Sequence, residues 1–125
     1  MKIKIVRTPG FTLVEIMIVV AIIGLLATIA IPNFVRARLK AQQSACINNL
    51  RQIDGAKQEW ALETKAAATV SPTSDKIQPY MGRGSGGSLP VCPLDSGNSF
   101  TTSYTINSLQ VAPQCQISST NHILN

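Results

Sequence analysis

The sequence has few of the side chains that enzymes and nucleic-acid-binding proteins use most. Its 125 residues include six acidic residues, one histidine and only 5% aromatic residues. The histidine, His122, has no acidic neighbour in sequence, so a polar C-terminal segment explains it better than catalysis. No basic stripe alternates with aromatic side chains, so the footprint of a nucleic-acid-binding protein is missing. The composition therefore predicts no enzyme, no cofactor and no nucleic-acid partner.

The formal charge of +5 overstates how basic the chain is. Three of its eleven basic residues, Lys2, Lys4 and Arg7, lie within the first ten positions. Beyond them, eight basic side chains face six acidic ones, a charge of +2. We therefore treat the excess charge as a property of a short N-terminal segment, residues 1–10.

Charge is scarcest between Phe11 and Ile31, where Glu15 is the only charged side chain. As a helix, these 21 residues would be about 31 Å long, enough to cross a bilayer. We therefore predict a membrane-spanning helix over 11–31. A secretory signal cleaved after residues 28–30 is the alternative, although such signals have a shorter apolar stretch.

Two residues weaken this helix in the sequence. Pro32 lacks an amide hydrogen and clashes with the carbonyl of Thr28, and Gly24 is a poor helix former. We predict a break or loosening of the helix at Gly24 and Pro32. Helical patterning then resumes, and we predict an amphipathic continuation of the helix over 32–64. Its apolar face consists of Cys46, Leu50, Ile53 and Trp60.

The remaining residues, 65–125, predict a small globular head. A short helical turn, capped by Thr73 or Ser74, is expected in SPTSDKIQPYM. The glycine-rich loop 82–88 lacks the strand and helix of a nucleotide-binding motif. Alternating patterns predict strands in 102–108 and 114–117. The predicted core is a list of large apolar side chains: Leu50, Ile53, Trp60, Leu62, Ile77, Tyr80, Leu89, Phe100, Tyr104 and Ile106.

The chain has three cysteines. The simplest interpretation is one disulfide, Cys92–Cys115, with Cys46 unpaired. Such a bridge stabilises a small core by about 3 kcal/mol in the chain-entropy model. It also requires an oxidising compartment, which places the head outside the cytoplasm. Three reduced thiols in a cytosolic protein are the alternative.

Other candidate sites are weak. Asp95, Ser96 and Asn98 offer oxygen ligands that suit calcium, but a plain turn explains PLDSGNS better. Glu59 and Glu63 share a helix face, where solvated charges are the usual interpretation. The sequence therefore predicts no metal site.

The stretch GFTLVEIMIVVAIIGLLATIAIPNF resembles the N-terminus of type IV prepilins and type II secretion pseudopilins. The resemblance rests on a short basic leader ending in glycine, the FTLVE segment, the apolar run, Gly24 and Pro32. Further along, ACINNLRQIDGAKQEWALE, PVCP, SYTIN and PQC are similar to G-type pseudopilins. The resemblance implies a pilin-like α+β fold, in which a long N-terminal helix packs on a small C-terminal antiparallel sheet.

The resemblance also implies roles for individual residues. A prepilin peptidase would cleave the leader, residues 1–10, after Gly10. Phe11 would then become the N-methylated terminus, and Glu15 would be the acid required for filament assembly. The segment between Gly24 and Pro32 would lose helical hydrogen bonds in the filament.

Physical reasoning about Glu15 gives an independent argument. A carboxylate in a membrane span is costly and usually marks function, although the first turn of a helix favours negative charge. In a lone subunit, Glu15 would pair with its own amine at Phe11 or reach toward the headgroups. In a bundle of identical helices, it would neutralise the amine of a neighbour, and this pairing would fix the axial register. A tolerated interfacial glutamate is the alternative.

We therefore expect a structural subunit of a type II secretion pseudopilus. Its implied partners are copies of itself, a prepilin peptidase, an inner-membrane assembly platform with its ATPase, minor pseudopilins and an outer-membrane secretin. The subunit would start in the inner membrane with a cytoplasmic leader. A type IV pilus major pilin is the alternative within the family. A secreted or membrane-anchored binding domain or enzyme is the alternative of another class.

Overall fold

The computed structural model describes residues 10–81 and 88–124. The predicted leader up to residue 9 and the glycine-rich loop 82–87 lie outside these ranges. The first element, α1, is a 52-residue helix, Leu13–Thr64. Two four-residue helices, α2 (Ser74–Ile77) and α3 (Phe100–Ser103), and a 3-10 turn, Gln78–Met81, follow it. Two short strands, β1 (Tyr104–Thr105) and β2 (Gln114–Cys115), pair antiparallel. The arrangement confirms the predicted α+β class.

Helix α1 contains Gly24 and Pro32 and ends at neither. Pro32 has no amide hydrogen to donate to the carbonyl of Thr28, yet the helix continues on both sides of this missing bond. The hydroxyl of Thr28 donates to the carbonyl of Gly24 at 2.8 Å, a contact that often accompanies helix bending. The helix therefore does not break at these residues in the single chain. Its loosening in a filament stays a prediction.

The chain divides into two compact units, the first ending at Ala37 and the second beginning at Arg38. We call residues 10–37 the N-terminal unit and residues 38–124 the globular unit. In the N-terminal unit the large apolar side chains are exposed, including Phe11 (86%) and Leu25 (69%). Within the described ranges, α1 is the one helix long and apolar enough to cross a membrane.

The core of the globular unit forms around the C-terminal half of α1. The predicted apolar face is confirmed, because Cys46, Leu50, Ile53 and Trp60 are all buried. Leu62 was wrongly predicted in the core and is 82% exposed. It lies two residues after Trp60, about 200° around the helix, and so points to the opposite side.

The other predicted core residues are buried or partly buried. Ile77, Phe100 and Tyr104 belong to the buried cluster, and Phe100 and Tyr104 pack ring against ring at 5.8 Å. Tyr80, Leu89 and Ile106 are partly buried and pack against it. Thr73 is the N-cap of α2 as predicted, although its side chain makes no capping hydrogen bond.

One buried charge ties α1 to the loop between the strands. Lys57 is fully buried, and its ammonium lies 3.1 Å from the carboxylate of Asp54. It also donates to the carbonyls of Ser108 (3.1 Å) and Val111 (2.7 Å). A buried ammonium requires such partners, because an unpaired one carries a large desolvation cost. This contact fixes the loop to the helix.

The two strands are shorter than the predicted 102–108 and 114–117. Residues 100–103 form α3 instead, in which the amide of Ser103 bonds to the carbonyl of Ser99. After β1, Asn107 adopts a positive φ of 60°, which ends the extended conformation. The carbonyl of Ser108 then accepts from Lys57 rather than from a strand partner.

Candidate functional site

The first turn of α1 contains a reciprocal hydrogen-bonded pair, Thr12 and Glu15. The carboxylate of Glu15 accepts from both the backbone amide and the hydroxyl of Thr12, each at 2.8 Å. The amide of Glu15 in turn donates to the hydroxyl of Thr12 at 3.3 Å. This arrangement is a capping box, which satisfies two amides that the helix itself leaves unpaired. The spacing Thr-x-x-Glu in FTLVE was the signal for it, and the sequence reasoning missed it.

The predicted processing residues lie immediately before this turn. Gly10 and Phe11 are both exposed and precede the first helical residue, Leu13. An added side chain at Gly10 would meet no atom within 4 Å. The absence of a side chain at Gly10 is therefore not required by packing in this structure. Cleavage after Gly10 and methylation of Phe11 stay predictions.

The globular unit brings all three cysteines and the histidine to one buried place. Cys46 comes from α1, Cys92 from the loop before α3, Cys115 from β2, and His122 from the C-terminal segment. All four are buried, and their potential ligand atoms lie within 4.8 Å of one another. The sequence analysis assigned His122 only to a polar C-terminal segment, because no residue near it in sequence indicated a contact with Cys46.

The predicted Cys92–Cys115 disulfide is not formed in the structure. The two sulfur atoms lie 3.8 Å apart, and all three cysteines are free. A disulfide needs sulfur atoms about 2.05 Å apart. The two sulfur atoms are close to each other, but two further ligand atoms share their site. Nδ1 of His122 lies 3.7 Å from the sulfur of Cys115 and 4.0 Å from that of Cys92.

Neighbouring side chains hold two of the cysteines in position. The hydroxyl of Tyr104 donates to the sulfur of Cys46 at 3.6 Å. Asn49, on the same helix as Cys46, donates to that hydroxyl at 3.0 Å. On the other side, the amide of Cys92 donates to the hydroxyl of Ser103 at 3.0 Å.

Asp95 fixes the hydroxyl of Ser103, which accepts from the amide of Cys92. Its carboxylate accepts from the hydroxyls of Ser103 (2.7 Å) and Thr102 (2.6 Å) and from the amide of Gly97 (2.8 Å). These hydrogen bonds hold the pKa of Asp95 below its ordinary value. The geometry is that of an aspartate-initiated turn, the interpretation preferred over calcium binding. Asp95 therefore supports the loop that carries Cys92.

Burial favours the neutral form of three side chains in the cluster, Cys46, Cys92 and His122. It raises the pKa of the Cys46 thiol well above its ordinary range. It also raises the pKa of the Cys92 thiol, and a hydrogen bond from the amide of Leu94 partly opposes this. Burial lowers the pKa of His122, so its imidazole is neutral at neutral pH. In the absence of a cation, burial therefore favours the neutral thiols of Cys46 and Cys92 and the neutral imidazole of His122.

Comparison with known proteins addresses the N-terminal unit first. Residues 7–31 match the family model described as the prokaryotic N-terminal methylation motif. The type IV major pilin protein PilA of Myxococcus xanthus is 49% identical over 57 residues, which is 46% of this chain and 26% of PilA. The type II secretion system core protein G of Vibrio cholerae is 33% identical over 73 residues, 58% of this chain and 47% of protein G.

A longer match decides the family. The type IV major fimbrial protein FimA of Dichelobacter nodosus is 33% identical over 114 residues, which cover 78% of this chain and 71% of FimA. This chain belongs to the type IV pilin and pseudopilin family. No solved structure matches it significantly.

Family membership agrees with the fold. The long apolar helix α1 followed by a small antiparallel sheet is a pilin-like α+β arrangement. The matched methylation motif, residues 7–31, includes Gly10, Phe11, Glu15 and Gly24. The chain spans about a quarter to a half of the length of the first relatives that it matches. Pilins and pseudopilins both occur among these relatives, so the family alone does not assign this pilin-like chain to either machine.

Proposed function

We propose that this pilin-like chain is a structural subunit that polymerises into a filament. A prepilin peptidase cleaves it between Gly10 and Phe11 on the cytoplasmic side of the inner membrane. The new terminal amine of Phe11 is methylated, and α1 anchors the subunit with its globular unit outside the cytoplasm. The subunit has a structural role and no catalytic one.

The single observation that carries the proposal is the position of Glu15. It is the only charged side chain between Phe11 and Ile31, a segment whose large apolar side chains are exposed. A carboxylate in such a segment is costly in lipid and needs a compensating partner. Cleavage after Gly10 creates one, because the new amine of Phe11 then lies next to Thr12, whose amide and hydroxyl contact the carboxylate of Glu15.

In a filament, the carboxylate of one subunit neutralises the amine of its neighbour. Apolar surroundings strengthen the attraction between the carboxylate and the amine. They also penalise any axial register of the two subunits that leaves either charge unpaired. The capping box adds a second contribution, since Thr12 holds the Glu15 carboxylate at the helix start before assembly. Glu15 is therefore positioned in the subunit and paired in the filament.

The exposed apolar surface of the N-terminal unit fits the same cycle. Its side chains would contact lipid in the unassembled subunit and neighbouring helices in the filament core. Large contiguous apolar surfaces on proteins mark membrane or protein contacts. The loss of helical hydrogen bonds between Gly24 and Pro32 belongs to the assembled state.

For the machine, we propose a pseudopilus of a type II secretion system that supports protein export. The similarity to core protein G and the small size of the globular unit support it. The proposed partners are the assembly platform with its ATPase, minor pseudopilins and an outer-membrane secretin. A type IV pilus for adhesion, motility or DNA uptake is the second candidate, favoured by the match to FimA over 78% of this chain.

N-terminal sequencing and intact mass of the mature protein test the processing step. The proposal predicts a chain that begins at N-methylated Phe11. A mature chain that begins at Ile31 would mean cleavage of a secretory signal, and it would favour a secreted binding domain or enzyme instead.

Deletion of the gene, followed by two assays, tests the machine. Loss of exported proteins from the culture medium with surface filaments unchanged supports the pseudopilus. Loss of surface filaments, seen by electron microscopy, with secretion unchanged would replace it by the type IV pilus. Complementation with the unchanged gene is the control in both assays.

A further inference from the structure

Four buried side chains that the proposed filament role does not use lie together in the globular unit: Cys46, Cys92, Cys115 and His122. These are all the cysteines and the only histidine of the chain, and they are separated by up to 76 positions. Nevertheless, their ligand atoms converge within 4.8 Å in the interior of the globular unit. Three thiols and an imidazole, brought together from four segments, form the donor set of a Cys₃His structural zinc site.

The distances fit a tetrahedral ion better than they fit a disulfide. Two sulfurs bound to one tetrahedral zinc at about 2.3 Å lie about 3.8 Å apart, and a sulfur and an imidazole nitrogen about 3.6 Å. The sulfurs of Cys92 and Cys115 are 3.8 Å apart, and Nδ1 of His122 lies 3.7 Å and 4.0 Å from them. The sulfur of Cys46 lies within 4.8 Å of each of the others, so a small movement of this side chain completes the tetrahedron.

We propose that Cys46, Cys92, Cys115 and His122 bind one structural Zn²⁺ ion. Zinc displaces one proton from each of the three thiols, and these three protons pass to solvent. The imidazole of His122 binds through its Nδ1 lone pair and keeps its proton on Nε2. The site thus gains two positive charges and loses three, a net charge of −1, without any change of oxidation state.

Hydrogen bonds around the site fit this anionic product. The hydroxyl of Tyr104 donates to the sulfur of Cys46, and the hydroxyl of Ser103 holds the backbone amide of Cys92. A donor such as Tyr104 stabilises a metal-bound thiolate and orients it. Asn49 and Asp95 fix these supports in turn, through Tyr104 and through Ser103.

The ion would cross-link four separate segments of the globular unit. Cys46 lies on α1, Cys92 in a loop, Cys115 on β2 and His122 in the C-terminal segment. The sheet consists of only two residues per strand, so a metal cross-link would supply much of the order. Zinc coordination would also keep these thiols from forming a disulfide outside the cytoplasm, where free thiols oxidise.

Zinc analysis of the full-length protein tests the site. The protein is purified anaerobically in detergent, and its zinc is measured by mass spectrometry. We expect one zinc per chain, and X-ray absorption should show three sulfurs at about 2.3 Å and one nitrogen at about 2.0 Å. Cys46→Ser and His122→Ala should each reduce zinc affinity about tenfold or more.

Two further variants make the result specific. Asn121→Ala is the matched control, because Asn121 adjoins His122 and is exposed, and only its backbone carbonyl accepts a bond from Gln43. It should retain zinc. His122→Cys offers four sulfurs to the ion and should also retain it, even where His122→Ala fails to fold.

Three results would overturn the proposal. The first is a Cys92–Cys115 disulfide in the anaerobically purified protein, seen as a chain two hydrogens lighter. The second is three free thiols that bind no added zinc. The third is zinc that Cys46→Ser and His122→Ala retain as well as the wild type does, which would mark an adventitious ion only. None of these results bears on filament assembly, so the zinc site and the proposed function can fail separately.

Discussion

The N-terminal unit exposes its large apolar side chains, whereas the globular unit buries most of its own fully or in part. In the N-terminal unit, residues such as Ile23 (60% exposed) are left uncovered by the parts of the chain that the structure describes. In the globular unit, Ile53 is fully buried in a core that also contains Leu50 and Cys46. The first unit therefore depends on contacts from outside the subunit, and the second makes its own.

The two units also differ in how they use polar groups. The N-terminal unit has one carboxylate, Glu15, at the start of its helix. The globular unit instead buries polar groups in its interior, with Lys57 fully buried and His122 almost so. A core this small supplies limited hydrophobic stabilisation, so these polar contacts decide much of its stability.

The largest difference in stability between the two units should come from the same substitution, isoleucine to alanine, made once in each unit. Ile53→Ala removes a fully buried side chain and leaves a cavity, so we expect a loss of about 3 kcal/mol in the free energy of unfolding. Ile23→Ala should leave that free energy unchanged. Denaturant unfolding of the full chain in detergent, followed by the fluorescence of its single tryptophan, Trp60, measures both.

Trp60 suits this comparison because it lies in the core of the globular unit, whereas circular dichroism would report mainly on the long helix α1. Equal losses for Ile53→Ala and Ile23→Ala would contradict the independence of the two units.

A smaller effect should come from the buried ammonium. Lys57→Met keeps most of the side-chain volume but leaves the carbonyls of Ser108 and Val111 without their donor. We expect a loss of about 2 kcal/mol, because an unsatisfied buried acceptor keeps its desolvation cost. Lys40→Met, at an exposed position of the same helix, is the control. The same unfolding measurement applies, and an unchanged midpoint for Lys57→Met would show that the loop is held by other contacts.

The smallest effect concerns an exposed contact at the end of α1. The hydroxyl of Tyr80 donates to the carboxylate of Glu63, which raises the pKa of that phenol. The folded state thus favours the neutral phenol. Its contribution to stability is complete below the unfolded pKa of about 10 and disappears as the pH rises through the higher folded pKa.

Ultraviolet titration of the tyrosinate should therefore show the first tyrosine to ionise at a higher pH than a free tyrosine. Glu63→Gln should return that midpoint toward the ordinary value, while Glu59→Gln should change it less. Burial raises the pKa of the other tyrosine, Tyr104, further, so it should ionise last. A titration unchanged by Glu63→Gln would mean that the contact does not persist in solution.

Local patterns predicted most of the fold. Helical spacing placed Cys46, Leu50, Ile53 and Trp60 on one face, and α1 ends at Thr64, where the predicted range 32–64 also ends. Leu62 was misplaced because a large apolar residue was counted without regard to its angle around the helix. The strands were overestimated because alternation is a local signal, whereas Lys57 and Asn107 determine where they end.

The two candidate sites also differ in whether local sequence patterns could predict them. Gly10, Phe11 and Glu15 lie within six consecutive residues, so a short motif was enough to single them out. The cluster around Cys46 joins residues from four segments, and no spacing in the sequence reveals that His122 returns to α1. The disulfide prediction paired Cys92 and Cys115 because both lie in the C-terminal region and Cys46 lies alone in a helical pattern, and only the folded chain shows that Cys46 and His122 share their site.

The central claim is that Glu15 acts through its charge on a neighbour's amine at Phe11. Glu15→Gln is the most direct test, because glutamine can still complete the capping box with Thr12 but cannot neutralise an amine. Thr12→Ala is its complement, since it removes the cap and keeps the charge. Each variant is expressed in cells that also make the wild-type subunit, and its incorporation into purified filaments is measured by mass spectrometry.

The account predicts that Glu15→Gln inserts into the membrane but is absent from filaments, and that Thr12→Ala is incorporated close to the wild-type level. Incorporation of Glu15→Gln at the wild-type level, with loss of Thr12→Ala, would contradict it. That result would make Glu15 a helix cap rather than the charge that pairs adjacent subunits.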